Sequence, residues 1–168
     1  MRQAIIIMGV CGTGKTTVGE ALAERLGCPF LEGDSFHPAE NVEKMRAGTP
    51  LDDDDRWPWL RGLGKAIADK VENAACVVAT CSALKRAYRD CLRDQTGTNT
   101  LFVLLHGDRD LLMQRLQERT HRYMPSSLLE SQLATLELPD ADEMSLSLDV
   151  RESAVDLVEE IHRLIDAP

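Results

Sequence analysis

Long apolar runs are missing from this sequence. Near the N-terminus the longest is Ala4 to Met8, far short of the roughly 20 residues that a membrane-spanning helix needs. No secretory leader is expected either, because Met1-Arg2-Gln3 enters that run with no longer apolar core and no small-residue cleavage site. The expectation is a cytoplasmic protein with no membrane partner. Paired-cysteine motifs are absent. The five cysteines (Cys11, Cys28, Cys76, Cys81, Cys91) are odd in number and lack CxxC spacing, which argues against a disulfide framework or a zinc site. Basic residues are in deficit, 19 Lys and Arg against 28 Asp and Glu for a formal charge of −9, a poor footprint for nucleic acid. Glycine and proline are few, 11 and 7 in 168 residues, and no low-complexity tract or repeat interrupts the chain, so it reads as one globular domain, residues 1–168.

The acids are unevenly placed. From Glu137 onward 10 acids face 2 bases, whereas the preceding 136 residues hold 18 and 17 and are almost neutral. An anionic small molecule is therefore not excluded from that part.

What the chain does have is alternation. Short β-rich runs (Ala4 to Met8, Pro29 to Glu32, Cys76 to Thr80, Leu101 to His106, Leu146 to Val150) are separated by segments of helical period. The helices are expected near Lys15 to Leu26, Asn41 to Ala47, Asp55 to Asn73, Ala83 to Asp94, Asp108 to Glu118, Ser126 to Leu136 and Glu152 to Ile165. This pattern predicts an α/β fold with a five-stranded parallel sheet covered on both faces and ligands at the carboxyl ends of its strands.

Between the first strand and the first helix lies GVCGTGKT, residues 9 to 16, a full GxxxxGK[ST] pattern. Gly9, Gly12 and Gly14 let backbone N–H groups turn inward around phosphate oxygens at the positive end of a helix. Residues Gly9, Val10, Cys11, Gly12, Thr13, Gly14, Lys15, Thr16 and Thr17 are thus the expected nucleotide cradle. Lys15 would reach the β- and γ-phosphates of ATP, and the Thr16 hydroxyl would ligate Mg²⁺. No NKxD guanine motif occurs, and there is no room for the second subdomain of a ring ATPase. A small phosphotransferase remains, and it needs a second substrate pocket.

The second strand runs into LEGDSFHPAENVEKM and then RAGTPLDDDDRWPWL, residues 31 to 60. Asp34, at the carboxyl end of a strand, is placed to take a proton from an attacking hydroxyl or to bind Mg²⁺ through water, the alternative being a helix cap. Lys44 and Arg46 either face an anion or lie on a solvated helix face. Four consecutive acids, Asp52 to Asp55, cannot converge on one ion, and one of them is expected to cap the helix near Arg56. Trp57 and Trp59 read as packing anchors more than as sugar platforms. After the third strand, Cys81-Ser82-Ala83-Leu84-Lys85 brings Ser82 and Lys85 to the same crevice, with Arg86 and Arg89 one turn on. Asp34, His37, Arg46, Arg56, Lys85 and Arg89 form a set suited to an acidic polyol, any single base having a surface salt bridge as its alternative.

These segments, with LLHGD and RLQER…YMPSSLLESQLATLE further on, resemble the gluconate kinases of the phosphate-loop nucleoside-kinase superfamily, in order through nearly the whole chain. The combination of GDSFHP, NVEKMRAGTPLDDDDRWPWL and CSALKRAYRD is far more specific than the phosphate loop alone. The resemblance implies a nucleoside monophosphate kinase-like fold, phosphorylation of D-gluconate at O6 with ATP and Mg²⁺, and a homodimer. It also implies a lid at about residues 119–127, which Arg115, Arg119 and Arg122 precede and enter, with Arg119 the leading candidate to close over the phosphates. Relatives commonly show Gly-His and an aromatic there, where this chain reads His121-Arg122-Tyr123, and Glu32 stands where many have Asp. A kinase for another small acid or polyol, of the shikimate kinase kind, a nucleoside monophosphate kinase and a non-catalytic ATP-binding switch are the competing readings. The Asp34 carboxylate argues against the switch, which needs no proton acceptor.

Overall fold

The computed structural model describes residues 2–118 and 126–165. Strands β1 (Gln3–Met8), β2 (Phe30–Leu31), β3 (Cys76–Thr80), β4 (Asn99–His106) and β5 (Ser145–Asp149) form one parallel sheet in the order β2-β3-β1-β4-β5. β1 is central, and its Ala4-Ile5-Ile6-Ile7-Met8 run has no exposed surface. A strand covered on both faces reads as a continuous apolar run rather than an alternating one. Helices α1 (Lys15–Leu26), α2 (Ala39–Arg46), α3 (Asp53–Val71), α4 (Arg86–Thr96), α5 (Arg109–Gln117), α6 (Ser126–Thr135) and α7 (Ala154–Ile165) fill the connections. α1 packs with α7 and α3 with α4.

Three departures from the expected boundaries have local causes. β2 is only two residues long, because Glu32 ends it by capping a 3₁₀ turn, Gly33–Phe36, with its carboxylate accepting from the Asp34 N–H. α3 starts at Asp53, two residues early: Asp52 accepts from the Asp55 N–H at 2.9 Å, and the Asp55 carboxylate accepts from the Asp52 N–H at 3.0 Å, a reciprocal capping box. α4 starts at Arg86, three residues late, because Ala83 turns left-handed at φ 45°. A β-carbon there is strained, and such strain persists only where the surroundings hold it.

The group that braces that loop is Arg89, and this corrects its assignment to substrate. Arg89 is fully buried, gripping the Glu143 carboxylate through Nε and Nη2 at 2.7 and 2.8 Å. Its Nη1 donates to the carbonyls of Ala83 at 3.1 Å and Glu137 at 3.0 Å. With α4 beginning at Arg86, the fourth residue of the helix turns inward to the protein and away from the crevice. Arg93 adds a second cation to Glu143 at 3.2 Å, and Arg86 pairs with Asp140 and Asp142. The acidic segment after Glu137 therefore docks on the arginines of α4.

The hydrogen bonds from Arg89, with burial opposing them, hold the Glu143 carboxyl down at about 2. Folding lowers this pKa from 4.5, so the pair's contribution is complete above pH 4.5 and is lost as pH falls toward about 2. Arg89→Leu would leave Glu143 buried without its main partner and is expected to cost about 3 kcal/mol of unfolding free energy. Urea denaturation at pH 7 measures it, and a loss below about 1 kcal/mol would show the brace to be dispensable.

Candidate active site

The phosphate loop leaves the end of β1 with Gly9, Gly12 and Gly14 all at positive φ. At Gly9 the requirement is also steric, since a β-carbon would lie 2.4 Å from the Leu105 carbonyl oxygen. The N-terminus of α1 has no side-chain cap and no acidic residue in its first turn, so its positive end is left for an anion. Lys15 folds back across the loop, donating to the Val10 carbonyl at 3.0 Å, and Thr13 does the same at 2.9 Å. Burial lowers the Lys15 pKa, with the Asp34 carboxylate opposing.

Beside the loop stand two acids with different duties. Glu32 accepts from the hydroxyls of Thr16 and Thr80, each at 2.5 Å. Burial pushes its carboxyl up, yet the two hydroxyls, the Asp34 N–H and the Lys15 charge outweigh that and leave it below the usual range. Asp34 lies one residue past Gly33, whose N–H donates to Thr80 Oγ1 at 3.0 Å. Only glycine fits there, because a β-carbon would fall 1.8 Å from the Thr80 carbonyl oxygen. Held by that turn, the Asp34 side chain is 60 % exposed at the cleft and available to an incoming group.

The cleft has a volume of about 610 Å³, including the solvent at its mouth, and Lys15, Asp34, His37, Arg56 and Ser82 all line it. His37 stacks on Trp59 with ring centroids 3.9 Å apart, and the Trp59 indole N–H donates to the Gly33 carbonyl at 2.7 Å. Trp59 is thus an anchor, as expected, that also forms part of the cleft wall. Buried Asn41, not anticipated from sequence, donates through Nδ2 to the Asp55 carbonyl at 2.8 Å and reaches His37 Nδ1 at 3.3 Å. Nδ1 accordingly accepts, and the other ring nitrogen, Nε2, carries the proton 4.0 Å from Asp34 Oδ1. Burial, resisted by Asp34 and aided by Arg56, takes the His37 pKa down to about 4, so the ring is neutral near pH 7. Arg56 is buried, donating to the Tyr88 hydroxyl at 3.0 Å.

The other predicted bases are not directed at this cleft. Lys44 is paired with Asp55 at 2.8 Å and Lys85 with Asp53 at 3.0 Å, so the acidic run neutralises both lysines. Asp53 also accepts from the Tyr88 hydroxyl. Arg46 is exposed at the end of α2, outside the cleft lining. Arg115 donates to the Val150 carbonyl at 2.6 Å, past the end of β5. Arg119, His121, Arg122 and Tyr123 lie outside the described residues. As for metal, Glu32 rather than Asp34 is the carboxylate bonded to Thr16, and among the described residues no cluster of three ligating side chains occurs. One hydroxyl and nearby acids suit Mg²⁺, which retains waters and binds largely through phosphate oxygens.

Sequence reasoning overlooked the apolar side of the cleft, where Met45, Pro50 and Leu51 contribute, and all of α6, which supplies Leu128, Ser131 and Gln132. The only signal was the segment MPSSLLESQLATLE, which carried the resemblance without a role for any one residue.

A phosphate loop on the central strand of a five-stranded parallel sheet, with acids and an acceptor cleft beside it, defines a kinase of the phosphate-loop class. The family model described as shikimate kinase matches residues 11–160. The chain belongs to the gluconokinase family: it is 47 % identical to a probable gluconokinase of Dictyostelium discoideum over 166 residues, 94 % of this chain and 83 % of that one. It is 50 % identical to a gluconokinase of Gluconobacter oxydans over 141 residues, 83 % of this chain and 78 % of the other. Among solved structures, a sugar kinase from Janibacter superposes with a TM-score of 0.93 at 40 % identity, covering 99 % of this chain and 95 % of that one. A gluconokinase from Sinorhizobium meliloti gives 0.86 at 46 % identity over 98 % and 95 %.

Proposed function

We propose that this protein transfers the γ-phosphoryl group of ATP to O6 of D-gluconate, yielding 6-phospho-D-gluconate and ADP. The observation that carries the reading is the kinship with gluconokinases along most of the chain, and the chemistry of the cleft supports it. Asp34 accepts the proton of the attacking hydroxyl as the oxygen–phosphorus bond forms. Lys15 and the loop N–H groups hold the phosphates in line and offset the charge that builds on the departing ADP. Arg56 is the cation of the acceptor wall and suits a carboxylate, while Ser82 and the neutral His37 ring suit hydroxyl groups. Thr16, with Glu32 and Asp34 through water, would hold Mg²⁺, which supplies charge neutralisation on the phosphates. Arg119 is assigned to the closing lid and the kinase is taken to be a homodimer, as the resemblance implies, and it is taken to work in the cytoplasm.

The shikimate kinase family match favours a second reading, another small acid as acceptor. A panel of sugar acids, polyols, shikimate and nucleoside monophosphates, assayed with Mg-ATP for ADP release, separates the two. Gluconate is expected to exceed glucose in kcat/KM by at least about 10²-fold, because a neutral sugar leaves Arg56 without its anion. Equal turnover of glucose and gluconate, or a clear preference for shikimate, would overturn the assignment.

A further inference from the structure

Helix α6 takes no part in the steps above, yet one of its side chains touches the phosphate loop. The Cys11 backbone N–H donates to Gln132 Oε1 at 2.7 Å. Gln132 also lines the cleft with Lys15, Asp34 and Arg56. A backbone N–H can only donate, so this bond decides which end of the Gln132 amide faces the loop. Oε1 is committed to the loop, and Nε2, with its two hydrogens, is the end left over. Among the described residues none accepts from Nε2. Ser131 and buried Leu128 line the same cleft from the preceding turn of α6.

The polarity is what an acidic polyol needs. Asp34 can only accept while ionised, and Arg56 matches one carboxylate, so the remaining oxygens of a hydroxyl-rich chain still want neutral donors. An amide supplies them without adding a charge that would compete with Arg56 for the acid.

We propose that Gln132 is a substrate-binding residue: anchored on the phosphate loop through Oε1, it donates from Nε2 to an oxygen of the acceptor and so ties the acceptor's position to that of the loop. The acceptor is an acidic polyol, in which respect the proposal rests on the function given above.

Two substitutions separate this role from that of a strut. Gln132→Glu keeps an oxygen for the Cys11 N–H but replaces the donor with an acceptor and a negative charge. Gln132→Ala removes both contacts. KM values for gluconate and for ATP, with kcat, are measured for each, and thermal melting reports folding. Both variants are expected to raise the gluconate KM by about tenfold or more, the worth of one hydrogen bond made to substrate. The ATP KM should move by less than about threefold, and Gln132→Glu should be no better than Gln132→Ala. Wild-type behaviour in Gln132→Glu with impairment in Gln132→Ala would make Gln132 a brace for the loop and overturn the proposal. So would a rise confined to the ATP KM, or no change in either variant. If Gln132→Ala fails to fold, Gln132→Glu alone decides, since it retains the loop contact. Failure of the wild-type protein to phosphorylate gluconate would count against the proposed function instead. The same comparison would then be made with the acid from the panel that is accepted, and judged by the same outcomes.

Discussion

Asp34→Asn is expected to lower kcat by roughly 10²- to 10⁴-fold, the usual worth of a positioned base, while the KM for ATP stays within about threefold. A primary hydroxyl is a weak nucleophile, and a carboxylate within hydrogen-bond reach orients it and takes its proton. The substitution keeps the shape and the hydrogen-bonding reach and removes the negative charge, and with it the basicity. Competing acids nearby are already committed: Glu32 to the Thr16 and Thr80 hydroxyls, Asp53 to Lys85 and Tyr88, Asp55 to Lys44 and the cap of α3. Asp34 is the exposed acid of the cleft wall. Steady-state kinetics on Asp34→Asn, Asp53→Asn and Asp55→Asn checks this. Near-normal turnover in the first with loss in either of the others would move the chemistry to the acidic run.

Lys15→Ala should reduce phosphoryl transfer by roughly 10³-fold, the scale of removing a preorganised charge from a transferring phosphoryl group. Its amine now rests on the Val10 carbonyl, a contact within the loop itself. Little folding free energy depends on it, so the circular dichroism spectrum and melting midpoint should stay close to those of the wild type. A variant that unfolds would show that Lys15 organises the loop rather than the phosphates.

Elements with a strong local signal were legible in the sequence. β1 could be read because a strand buried on both faces is a plain apolar run, and α1 because Gly14 and Gly27 bracket it with left-handed conformations. The phosphate loop is a contiguous motif whose backbone does the binding, so residue order alone reveals it. Asp34, His37, Arg56 and Ser82 line one cleft, and their proximity could be read from the sequence because each follows a strand end or opens a helix there. Arg89, Lys85 and Lys44 were not, since whether a cation meets substrate or a protein acid depends on partners distant in sequence. Glu143 lies 54 residues from Arg89, and Asp53 lies 32 from Lys85. Gln132 was invisible for the same reason, standing 121 residues from the N–H it meets.

The stacking of His37 on Trp59 gives the molecule an optical property. The chain has two tryptophans, in unlike surroundings: Trp59 forms part of the cleft wall, whereas Trp57 meets the Tyr88 ring edge-on at 5.4 Å, outside the cleft lining. A molecule entering the cleft changes the polarity and the quenching groups around one indole and leaves the other's ring partner in place. With Trp57→Phe, the remaining tryptophan emission comes from Trp59 in the cleft wall. Occupancy can then be followed in the dark half of the cycle, before any phosphoryl group moves, which is where the Asp34 and Gln132 variants are expected to part.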